Sequence, residues 1–226
     1  MNKPDPILIT GAARSGTSMV AGIINICGAW GGKLAGPNRY NPKGMRENRE
    51  VVDKIIKPYL RELGCDPMGQ YPLPDTEDLW IKRGIREQFF RIMELQGWNG
   101  KSPLFYKEVK MCLLWPAFRA AFPNAKWVVV GRRDEQIVRS CMRTGFMRAF
   151  KNEQGWQWWV DQHKQRFHRM READLQVKEV WPERMMQGNY LEMLNVIEWL
   201  GLQWRDQKIR DFIEPKLYGS KETVNG

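Results

Sequence analysis

The chain has 226 residues, 42% of them hydrophobic, which is ample for a folded core, and carries a formal net charge of +10. No apolar run approaches the roughly 18 residues that a membrane-spanning helix needs, and Met1–Pro6 leads into an apolar segment without a secretory leader pattern, so a cytoplasmic protein is expected. The four cysteines form no C-x-x-C pair, which argues against a zinc site and a disulfide framework.

The apolar residues Ile7, Leu8 and Ile9 predict a strand over 6–10. Gly11-Ala12-Ala13-Arg14-Ser15-Gly16-Thr17-Ser18 follows, and a buried helix is expected over 17–28. Two glycines permit a tight turn whose N–H groups point at one anion above the helix N-terminus. A Walker A loop would carry lysine where Thr17 stands; here the cation, Arg14, lies inside the loop. That displacement points away from ATP and toward another phosphate-bearing donor.

Residues 31–44 are rich in Gly, Pro and Asn, with Lys33, Arg39 and Lys43 interspersed, and read as a loop. Helices are expected over 50–63 and 77–96, the second opened by an acidic first turn, with a proline-rich loop over 64–74 between them. A strand at 104–107, a helix at 113–121, a strand at 126–130 and helices at 135–144 and 153–174 come next. A short strand near 184–187 and a helix at 191–200 follow, and the tail after Lys216 lacks apolar pattern and is expected to be mobile. The alternation predicts an α/β fold: a three-layer, P-loop-type parallel sheet flanked by helices, in one domain spanning 1–226.

In the 153–174 helix, Trp156 and Trp159 share a face and are expected to be buried, while Trp158 points elsewhere. An aromatic platform for a sugar or another acceptor is the alternative use of these rings. His163 and His168 are about 140° apart around the helix, too far to chelate a metal together.

The segment from Gly11 to Ser18 resembles the 5′-phosphosulfate loop of sulfotransferases that use 3′-phosphoadenosine 5′-phosphosulfate (PAPS). Lys126-Trp127-Val128-Val129-Val130-Gly131-Arg132, followed eight positions after Arg132 by Ser140, resembles the same family's 3′-phosphate motif. With a helix starting near Asp134, Ser140 lies roughly 9 Å along it, within reach of the Arg132 fork. Phe105-Tyr106-Lys107-Glu108-Val109-Lys110 resembles a Lys-Asp-Pro-Arg strand of bacterial members, with Glu108 and Val109 as departures. Asn41-Pro42-Lys43-Gly44-Met45-Arg46-Glu47-Asn48 and Gly188-Asn189-Tyr190-Leu191 resemble further segments of that branch.

The resemblance implies PAPS as sulfuryl donor, with Arg14, Ser15, Gly16, Thr17 and Ser18 at its 5′ end, Arg132 and Ser140 at its 3′-phosphate, and no metal. The loop and helical segments over about 31–100 would form the acceptor side. Arg14 would stabilise charge on the departing phosphate. The histidine that many cytosolic members use as base has no counterpart, since Val109 stands in its place. Glu47 is therefore the first base candidate, Lys107 the electrostatic aid, and Glu108 and His163 the reserves. The expected acceptor is a small molecule, carbohydrate or other hydroxyl or amine compound.

Two other classes stay open. A divergent P-loop nucleotide or small-molecule kinase would use the same strand-loop-helix unit, but it lacks the Walker lysine. A nucleic-acid-binding protein would fit the net charge, yet the basic residues are spread along the chain rather than gathered in an arm, so no stable nucleic-acid partner is expected.

Overall fold

The computed structural model describes residues 3–214, so the expectations for the extreme N-terminus and for the tail after Lys216 lie outside the described residues. Four strands, β1 (Ile7–Thr10), β2 (Phe105–Lys107), β3 (Lys126–Val130) and β4 (Gln176–Val180), form a sheet in the order β2-β1-β3-β4, every pair parallel. Leu8 pairs with Tyr106 on one side and Trp127 on the other, which fixes the register of β2, β1 and β3.

β1, β2 and β3 are apolar on both faces because helices cover both. Successive side chains of a strand point to opposite faces. Ile7, Ile9, Val128 and Val130 accordingly join one core with α1 (Thr17–Ile26), and Leu8, Tyr106, Trp127 and Val129 join the other. The second core receives α2 (Arg49–Val51), a π-helical turn at Val52–Ile56, α3 (Lys57–Glu62), α4 (Ile85–Leu95) and α5 (Trp115–Ala121). A third cluster joins α6 (Asp134–Arg143) to α7 (Glu153–Glu172) beside Ala12 in the loop after β1. On the α1 side lie α8 (Pro182–Met186), α9 (Leu191–Leu200) and α10 (Asp206–Phe212).

The three-layer α/β architecture agrees with the expectation; three local readings do not. The fourth strand is Gln176–Val180, and 184–187 lies at the end of α8 instead. Only Val180 of that edge strand is fully buried, so Gln176, Lys178 and Glu179 dilute its apolar signal, while Pro182 starts a helix. The helix expected over 77–96 begins only at Ile85, after Gly84 at φ +80°. Upstream, the Asp75 carboxylate accepts from the Glu77 N–H, and the Tyr59 hydroxyl donates to the Trp80 carbonyl and accepts from the Lys82 N–H, so these groups are taken from any helix. Finally, α10 packs on α1 where no helix was expected. Among the described residues, no helix is long and apolar enough to cross a membrane, and the four cysteines are unpaired.

Candidate active site

The C-terminal ends of β1, β2 and β3 meet at one edge of the sheet, the usual place for a ligand in a parallel α/β fold. The loop of residues 11–16 leaves β1, Lys107 is the last residue of β2, and Arg132 lies two residues beyond β3. Together they border a cavity of about 470 Å³ that Arg14, Gly16, Thr17, Ser18, Glu47, Lys107, Arg132 and Ser140 all line.

The loop is folded tightly by positive φ at Arg14 (75°) and Gly16 (98°). Left-handed backbone at a non-glycine residue costs about 1 kcal/mol, so the surrounding contacts must hold Arg14 there. Gly11 is required for a different reason. A Cβ on it would lie 2.6 Å from the Val130 carbonyl oxygen and 2.7 Å from Ser15 Oγ, so only glycine lets the loop sit on the sheet edge. Ser15 is thus buried behind the loop, while Thr17 and Ser18 open α1, whose first N–H groups have no partner within the helix.

Arg14 Nε donates to Ser140 Oγ at 3.0 Å, and Arg132 Nη1 donates to the Arg14 carbonyl at 2.7 Å. Arg132 Nε is held by Gln136 Oε1 at 2.9 Å. The residues expected at two ends of a nucleotide are therefore in direct contact. Burial, opposed by Cys141 and reinforced by Arg132, pulls the Arg14 guanidinium below its ordinary range. Two guanidiniums lining one cavity favour an anion there.

In the same cavity, Lys107 Nζ donates to Glu47 Oε1 at 2.7 Å and to the Met45 carbonyl at 3.2 Å. The Lys107 side chain is only 1% exposed and that of Glu47 17%. Burial works against charge on Glu47, but Lys107 and then Lys110 outweigh it and hold the carboxyl below the usual glutamate range. Glu47 is consequently an ionised acceptor in the cavity. Glu108 is fully buried, caps the N-H of Lys110 at 3.0 Å and pairs with its ammonium at 2.6 Å, which takes it away from the cavity. His163 does border the cavity; burial drives its pKa to about 3, and its Nδ1 lies 2.8 Å from the Trp159 carbonyl, so the ring is neutral with its proton on Nδ1. Trp156 and Trp159 are buried, and Trp158 is outside, as their spacing predicts.

Three positioning groups escaped the sequence reading. The Met45 carbonyl accepts from both Ser18 Oγ (2.9 Å) and Lys107, joining the loop before α2 to α1 and β2. Asn48 is buried, caps α2 and donates to the Gly31 carbonyl at 3.1 Å, which fixes the backbone beside Glu47. An Asn preceding a helix was a signal for the cap, though not for its burial. Gln70 donates to the Phe146 carbonyl at 2.7 Å and accepts from the Arg148 and Ala149 N–H groups at 2.7 and 3.1 Å. Nothing in the composition of that loop announces the contact, which spans 76 residues of chain.

A family model described as "Sulfotransferase family" matches residues 6–206. The structure is similar to the sulfotransferase domain from the curacin biosynthetic pathway, at 13% identity and a TM-score of 0.59, with 100% of this chain and 82% of that chain covered. It is similar also to the sulfotransferase domain of the Synechococcus PCC 7002 olefin synthase, at 16% identity and a TM-score of 0.55, with coverage of 100% and 82%. Sulfotransferase STF1 from Mycobacterium tuberculosis H37Rv shares 13% identity at a TM-score of 0.52, with 96% of this chain and 76% of that chain covered. At such identities the likeness speaks for the fold. No curated protein matches the chain.

Proposed function

The chain belongs to the sulfotransferase family, and from that premise we propose that it moves a sulfuryl group from PAPS to a hydroxyl or amine of an acceptor. The observation that carries this reading is the convergence of Arg14, Arg132 and Ser140 in the same cavity as the Glu47–Lys107 pair. The cavity is thereby suited both to a polyanion and to a nucleophile's proton.

The residues fit the donor. The glycine-dependent cradle at Gly11 and Gly16 and the start of α1 offer N–H groups to a 5′-phosphate, and Arg132 with Ser140 offers a fork and a hydroxyl to a 3′-phosphate. When bound, PAPS supplies an activated sulfuryl group on that 5′-phosphate. Arg14 holds the charge that grows on the phosphate as its bond to sulfur breaks. Glu47 accepts the proton of the acceptor hydroxyl as the new oxygen–sulfur bond forms, leaving a sulfate ester and 3′,5′-ADP. Lys107 keeps Glu47 ionised and oriented between turnovers. The acceptor side comprises the segments within 31–100 that border the cavity, Tyr40 and Gln70 among them.

Calorimetric titration with 3′,5′-ADP in a chelating buffer tests the reading. Binding without divalent cation supports it. Binding of ATP or GTP that requires Mg²⁺, with no response to 3′,5′-ADP, would replace it with a kinase.

A further inference from the structure

Helix α7 carries a buried imidazole to the cavity. His163 is only 2% exposed, yet it borders the same space as Glu47 and Lys107. Its Nδ1 lies 2.8 Å from the Trp159 carbonyl one turn earlier, and a carbonyl only accepts, so the ring carries its proton on Nδ1. Burial keeps the ring neutral by drawing its pKa down to about 3. Nε2 is therefore a bare acceptor. Among the described residues, the ring has no hydrogen-bond partner besides that carbonyl.

The surroundings of the ring decide where Nε2 points. The Nδ1 edge is turned back to its own helix, the Trp159 ring lies against the imidazole with centroids 3.9 Å apart, and Phe167 stands at 6.4 Å. The edge left for the cavity is the one that carries Nε2. Glu47 belongs to the same neighbourhood. Trp159 Nε1 donates to the Gly69 carbonyl at 3.0 Å, and a Cβ on Gly69 would lie 2.7 Å from Lys110 Cγ. Lys110 is in turn one of the charges that hold Glu47 ionised, and α7 packs on the turn Val109–Leu114 that directly follows Lys107 and Glu108. By contrast, Gln70 is engaged by Phe146, Arg148 and Ala149, Lys43 pairs with Glu214 at 2.7 Å, and Arg39 and Arg143 are exposed. A molecule that fills the cavity must give the buried Nε2 a donor or leave it unpaired, at a cost of about 5- to 150-fold in affinity.

We propose that His163 selects the acceptor: its Nε2 accepts a hydrogen bond from a second O–H or N–H group of the acceptor, while Glu47 takes the proton of the group that is sulfated. His163 is then a specificity-determining residue, and the acceptor carries two donor groups, as a diol or an amino alcohol does. The imidazole holds this second group in place and removes no proton from it. The proposal rests on the sulfuryl-transfer reading for the role of Glu47, and on the placement of the ring alone for the role of Nε2.

The test titrates three ligands that share one ring, cis-1,2-cyclohexanediol, cyclohexanol and cis-2-methoxycyclohexanol, with and without saturating 3′,5′-ADP. The ether keeps the second oxygen of the diol but not its proton. The diol should bind at least about tenfold more tightly than either of the others. The chain has two histidines, so nitrogen NMR on protein with isotopically labelled histidine identifies Nε2 of His163 by its loss in His163→Gln. That resonance should move upfield with the diol and stay in place with the ether. His163→Phe keeps a ring against Trp159 but removes Nε2, and should level the three affinities. His163→Gln sets a carbonyl oxygen near the place of Nε2 and should keep the preference for the diol; if the Phe variant does not fold, the ligand series on the unaltered protein decides. Equal affinity for the three ligands, no binding of the diol, or an Nε2 resonance unmoved at saturation would overturn the proposal. Lack of 3′,5′-ADP binding would instead strike the sulfuryl-transfer reading, and the titrations without nucleotide would still decide on His163.

Discussion

Arg14 Nε and Ser140 Oγ are 3.0 Å apart although 126 residues separate them in the chain. The contact joins the loop after β1 to α6, the helix after β3, and so brings the two elements proposed to bind phosphate to one point. Arg132 adds a second tie by donating to the Arg14 carbonyl. A nucleotide with phosphates at both ends would exchange these internal bonds for its own.

Arg132→Ala should therefore weaken 3′,5′-ADP by about 10- to 150-fold, the roughly 1.5–3 kcal/mol of hydrogen bonding to a charged group. Ser140→Ala removes a neutral hydroxyl and should cost about tenfold or less. Since the proposal puts both groups on one phosphate, calorimetry on the double variant should show a loss smaller than the product of the two.

Glu47→Gln should lower turnover about 10²- to 10⁴-fold, the usual contribution of a general base, with affinity for 3′,5′-ADP nearly unchanged. Lys107 and Lys110 hold the Glu47 carboxyl down against its burial. A carboxyl depressed in the folded state stabilises the protein above its unfolded pKa, about 4.3, and that stabilisation is lost as pH falls through the lower folded value. Turnover limited by Glu47 should likewise fall only below that ordinary glutamate range. A pH–rate profile whose acid limb lies near neutrality would assign the base to another group.

Lys107→Met should destabilise the protein by about 3–5 kcal/mol, because Glu47 would be left charged and poorly solvated. Adding Glu47→Gln should restore much of the loss. Urea denaturation of the two single variants and the double variant measures this coupling directly.

Gly11→Ala should cost about 1–3 kcal/mol in the same measurement, as the new methyl meets the Val130 carbonyl and Ser15 Oγ. It should also weaken 3′,5′-ADP, since the loop must lift from the sheet edge.

Gln70→Ala should free the backbone it now holds at Phe146, Arg148 and Ala149. Hydrogen exchange at the Arg148 and Ala149 amides should accelerate markedly, with little change in β1 or β3.

The inner sheet was legible because its strands are apolar on both faces and the loop after β1 carries glycines at meaningful positions. Arg132 and Ser140 were singled out because their segment resembles the family's 3′-phosphate motif, and in the structure both bond to Arg14. The edge strand β4 was not, since its polar positions hide the alternation. The false start of α4 has a similar cause: the acidic run at 75–78 looks like a first helical turn, but the Tyr59 hydroxyl, from a distant helix, binds the backbone that follows it. The contacts of Gln70 depend on long-range packing between loops, which periodicity does not encode.

A crystal structure with 3′,5′-ADP tests the central claim most directly. The account predicts the 5′-phosphate on the loop of residues 11–18, the 3′-phosphate on Arg132 and Ser140, and the Arg14 side chain moved from Ser140 to the 5′-phosphate. A nucleotide bound elsewhere, with Arg14 still on Ser140, would contradict it.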